Sequence, residues 1–178
     1  LGSGAATSSG ASTKYNQDTH TYTLQPAALQ SALEASMNNG TRSVVFETPA
    51  TDNSALVNIP LPILSEVAKK SDNLSVAVRY KNVLFELSLK DLQALMNASP
   101  TSAYVQVAIE PIPAAASLAL RSTLLDSKAE TLADSVDIRM TPLTAGMAAN
   151  SNAPAVKGNY YFKLPVSSAA GQTSVVYE

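Results

Sequence analysis

Apolar and polar positions along this chain change period repeatedly, from two to about 3.6. Thr21-Tyr22-Thr23-Leu24 alternates as a strand does. Pro26 then opens a stripe at Leu29, Ala32, Leu33 and Met37 with helical spacing, closed by Asn38-Asn39-Gly40. The same succession returns in Leu56-Val57-Asn58-Ile59, followed after Pro60 and Pro62 by Ile63, Leu64, Val67 and Ala68, and again in Val83 to Leu87, followed by Leu92, Leu95 and Met96. In each unit a Leu follows five residues after the last apolar strand position: Leu29 after Leu24, Leu64 after Ile59, Leu92 after Leu87. The units lie 35 and 28 residues apart, which predicts an internal repeat too uneven for a regular solenoid. Strands at Ser43 to Glu47, Leu74 to Tyr80 and Tyr104 to Ile109 complete the cycles, and Arg79-Tyr80-Lys81-Asn82 predicts a hairpin between Val76-Ala77-Val78 and Val83-Leu84-Phe85.

The expected fold is α+β: β-rich, with three short helices packed on a mixed or antiparallel sheet and a mainly β second part. Residues 1–14 read as a Gly/Ala/Ser/Thr linker, 15–100 as the repeated strand-helix module, and 101–178 as the mainly β module, continuous with the first or separate. Within the second part, Val105, Val107 and Ile109 alternate up to Pro111, and residues 114–133 suit helix or loop. Val136-Asp137-Ile138-Arg139-Met140 is a strand, 141–157 are loop-like, and Tyr160, Phe162 and Leu164 face opposite to Tyr161 and Lys163. Val175-Val176-Tyr177 reads as a further strand, as in a piece of a longer protein.

At 178 residues and 46% hydrophobic positions the chain can bury a core without staples. Charged residues are only 15%, so Ser, Thr, Asn, Gln and Ala must cover much of the surface, and the net charge of −2 offers no basic field to nucleic acid or anionic lipid. With no cysteine as well, the composition suits an exported protein.

Candidate chemistry is sparse. His20 is the one histidine, so transition-metal sites lack their usual ligands and no cofactor is expected. No Ser sits in a Gly-x-Ser-x-Gly elbow. The carboxylate groups Glu47 with Asp52, Glu86 with Asp91, and Glu130, Asp134 and Asp137 match no calcium loop, and they read as solvated charges beside Lys128 and Arg139. Aromatic residues give the one positive hint. Tyr161 points away from the core in an alternating strand, and with Tyr104 and Tyr80 it is a candidate for stacking on a sugar.

The run from Val57 through Ile63 and Leu64 to Tyr80, the strand Val105 to Pro111, and the segment Lys157 to Pro165 with Ala170 to Tyr177 resemble modules adjoining S-layer homology repeats in secreted surface proteins of Bacillus- and Paenibacillus-type bacteria. The resemblance implies a non-catalytic structural or scaffold module at the cell surface or cell wall, with neighbouring domains of a parent protein as partners. Two alternatives stay open: a module binding carbohydrate or cell-wall polysaccharide, and a fragment of a polysaccharide hydrolase.

Overall fold

A computed structural model of the chain describes residues 5–6, 13–71, 73–124, 135–144 and 158–162. In chain order the elements are β1 (Ala5–Ala6), β2 (Thr13–Asn16), β3 (Thr21–Leu24), α1 (Pro26–Asn38), β4 (Ser43–Glu47), β5 (Ala55–Pro60), α2 (Leu61–Ala68), β6 (Ser75–Tyr80) and β7 (Val83–Ser88). They continue with α3 (Leu89–Ala98), β8 (Ser102–Pro111), α4 (Ala114–Leu124), β9 (Val136–Thr144) and β10 (Asn159–Phe162). The class is α+β, as the changing periodicity predicts. Among the described residues no helix is long and apolar enough to cross a membrane.

The strands form two sheets rather than one. The first has the order β1-β4-β6-β7-β10 and the second β2-β3-β5-β8-β9. Each repeated unit carries the chain from one sheet to the other: β3-α1-β4 and β5-α2-β6 leave the second sheet for the first, and β7-α3-β8 returns. The first two units therefore pair in parallel in both sheets, Tyr22 beside Val57 and Val44 beside Val76. The third runs antiparallel to the second, Val78 opposite Phe85 and Val57 opposite Val107. The inner faces and the helices share one core, with Val76, Val78, Phe85 and Leu87 from one sheet, Val57, Ile59, Val105 and Val107 from the other, and Leu33, Leu64, Leu89 and Leu92 from α1 to α3. Each such side chain contributes roughly 1.5–3 kcal/mol by leaving water.

The second and third units are near-copies about a quasi-two-fold axis that exchanges the sheets. Val57, Ile59, Leu61, Leu64 and Val67 correspond to Phe85, Leu87, Leu89, Leu92 and Leu95, each 28 residues on, and all ten are buried. Local signals place the helices. Ser88 caps α3, its Oγ accepting from the Asp91 amide at 3.0 Å and donating to Asp91 Oδ2 at 2.6 Å. α1 ends at Asn39, and Gly40 takes a φ of 70°, the left-handed conformation that closes a helix most cheaply with glycine.

Three segments read as linker or loop behave differently. Ala5–Ala6 lies parallel to Val44 and Val45, and Thr13–Asn16 pairs with β3. β9 runs past Met140 to Thr144 with Pro142 opposite Val105. An outer strand needs a backbone partner on one side only, so weak side-chain patterns and a proline are tolerated there. Strands from both sides of residue 100 share each sheet, β8 lying beside β5 and β10 beside β7. α4 covers the first part of 114–133; residues 125–134, 145–157 and 163–178, with the expected strand at Val175 to Tyr177, lie outside the described residues.

Candidate functional site

β10 places its side chains by strand alternation. Tyr160, opposite Phe85, packs on the core; Tyr161, opposite Leu84, faces outward and is 41% exposed. It borders a groove of about 390 Å³ at the β6–β7 hairpin, lined also by Glu47, Arg79, Lys81, Asn82, Val83 and Leu84. Arg79 Nη1 lies 3.7 Å from Glu47 Oε2, a loose exposed pair that leaves the guanidinium available to a ligand. The Tyr161 hydroxyl bonds to Glu86, and partial burial, followed by the Glu86 charge, raises its pKa. Ser75 Oγ also donates to Glu86 Oε1, so this carboxylate joins β6, β7 and β10 across the outer face. An aromatic ring beside a guanidinium, an ammonium and an amide suits a polyhydroxylated ligand.

The other two tyrosines do not complete that face. Tyr80 is 1% exposed, and its hydroxyl donates to the Asp52 carbonyl at 3.2 Å, so its ring is spent on the core. Burial leaves it no face for a sugar, and it falls out of the candidate set. Tyr104 is half-buried in the other sheet, opposite Pro60 and Leu143.

A second aromatic group escaped the sequence reading. Tyr15, 43% exposed, packs on Tyr22 with ring centroids 4.7 Å apart, and Tyr22 packs on Phe46 of the other sheet at 5.5 Å. The Tyr15 hydroxyl lies 3.0 Å from His20 Nδ1, and His20 holds a φ of 51° in the turn before β3. Tyr22 donates to Asp52 Oδ2 at 2.9 Å. Asp52 is thus gripped by a tyrosine from each sheet, which pins the β4–β5 loop. Only the alternation of Tyr22 with Leu24 was visible beforehand; its bond to Asp52 spans 30 residues.

Burial, aided by the hydrogen bond to Asp52 and its charge, pushes the Tyr22 phenol up to about 12. The neutral form is favoured in the fold, so this contribution is complete below pH 10 and is lost between pH 10 and about 12, where only the unfolded tyrosine has ionised. Stability should fall as pH rises through that window, by less than the ~1.4 kcal/mol per pH unit of a fully buried group, because solvent screens the partly exposed Tyr22. Urea titrations of the parent and of Tyr22→Phe check this; equal slopes in the two proteins would refute it.

The carboxylates are tied locally. Glu110 and Asp137 are strand partners, a repulsive arrangement offset by Arg139, which binds Glu110 and reaches Asp137 Oδ2 from Nε at 2.9 Å. They border an open groove of about 540 Å³ with Pro111, Ile112, Pro113 and Val136. Asp91 serves the α3 cap, while Glu130 and Asp134 lie outside the described residues. Among the described residues no three His, Cys, Asp or Glu side chains gather as a metal site would require. No family model matches the chain, and neither a curated protein nor a solved structure does so.

Proposed function

We propose that the chain is a non-catalytic structural module of a secreted bacterial surface protein, packed in series with neighbouring domains of its parent. The observation that carries this reading is the use made of its polar groups. Asp52 joins two sheets through Tyr22 and Tyr80, Glu86 joins β6 and β10, and Arg139 locks β8 to β9. These groups hold elements together, and Glu110 and Asp137, which share a groove, are both tied to Arg139. The low charge and lack of cysteine support an exported setting. Incubated with a panel of polysaccharides and peptidoglycan, the purified chain should release no reducing ends. Release that disappears in Glu110→Gln or Asp137→Asn would sink the proposal in favour of a hydrolase.

The Tyr161 groove favours a second reading, binding of cell-wall polysaccharide without turnover. On that reading Tyr161→Ala abolishes retardation in gels cast with purified cell-wall polysaccharide and lowers the unfolding free energy by no more than about 1.5 kcal/mol, the worth of its hydrogen bond to Glu86. Unchanged retardation would exclude Tyr161 as the contact.

A further inference from the structure

The turn between β6 and β7 consists of Lys81 and Asn82 alone, since Tyr80 and Val83 are already strand partners. Lys81 holds a φ of 51°, a conformation that disfavours a side chain with a Cβ, and its ammonium lies 5.0 Å from the centre of the Tyr80 ring. This strained turn is also the only covalent link between two self-consistent halves. β1 to β6 with α1 and α2 precede it; β7 to β10 with α3 and α4 follow it. β9 pairs with β8 and β10 with β7, so the second half is internally joined. Across the halves run the β6–β7 and β5–β8 ladders, the packing of α2 on α3, the Ser75–Glu86 bond and the Gln106–Asn58 bond.

We propose that residues 81–82 are a hinge through which the chain exchanges its second half with a second copy of itself. With the turn straightened, β6 runs directly into β7, and every contact between the halves re-forms between two chains. Because the same contacts exist in monomer and dimer, the balance rests on the hinge and on protein concentration, and relief of the left-handed lysine favours exchange. The quasi-two-fold relation of β5-α2-β6 to β7-α3-β8 supplies two similar halves joined at their symmetry boundary.

The chain has no cysteine, so an introduced pair reports the exchange without background. Arg79 and Leu84 are strand partners next to the closing pair of the hairpin and are half-exposed, a position suited to a disulfide. The full chain carrying Arg79→Cys and Leu84→Cys is refolded at high concentration, separated by size and oxidised. In the dimer fraction the disulfide should join two chains; in the monomer it should stay within one. Lys81→Gly should shift the equilibrium toward monomer by about tenfold, since glycine accepts the turn conformation. Deleting Asn82 should make the dimer dominant, because one residue cannot close the hairpin. A dimer with only intrachain disulfides, or no dimer from either the parent or the Asn82 deletion, overturns the proposal.

Discussion

Leu92→Ala should lower the unfolding free energy by about 3–4 kcal/mol, and Leu64→Ala should match it within about 1 kcal/mol. Both leucines are fully buried at equivalent positions of α3 and α2, in the one cluster that joins the two sheets. Removal of three side-chain carbons forfeits their transfer free energy and leaves a cavity that flanking strands cannot collapse into without disturbing both ladders. For a chain of this length the midpoint of thermal unfolding should drop by about 10 °C in each case. Calorimetry decides the matter. A cost below ~1 kcal/mol at one position, with the full cost at the other, would show that the two units are not equivalently packed.

Gly158→Ala should cost about 1–3 kcal/mol through a steric route, although it adds a single methyl group. A Cβ at residue 158 would stand 2.3 Å from Phe85 Cζ, 2.5 Å from its Cε2 and 3.2 Å from the Glu86 carbonyl. Phe85 belongs to the core and has little room to turn. Either its ring shifts into its neighbours or β10 lifts from β7, taking Tyr161 from its groove. A shorter side chain at position 85 relieves the contact, so Phe85→Leu and Gly158→Ala should combine at less than the sum of their separate costs. Additive costs in denaturant titrations would place the strain elsewhere.

Much of the central architecture was legible from the residues. The Leu five positions beyond each strand marks where a helix meets the core, and Leu29, Leu64 and Leu92 are all buried there. The Lys81-Asn82 turn was readable because its determinants are local. Alternation distinguishes inside from outside but is silent on which sheet a strand joins, so two sheets looked like one. Tyr80 shares parity with the buried Val76 and Val78, a signal of its inward position that its choice as a sugar contact passed over. The same rule correctly turned Tyr161 outward. The Asp52 clamp depends on partners some thirty residues away in both directions, and no local pattern encodes such a meeting.

The passage of the chain between sheets at α1, α2 and α3 has a kinetic consequence. The consecutive strands β2–β3, β6–β7 and β8–β9 can pair locally, but every other strand joins its sheet only after the chain has visited the other one. For those strands, loop closure over tens of residues precedes the contacts that reward it. Such a topology slows the acquisition of structure relative to one built of local pairs alone.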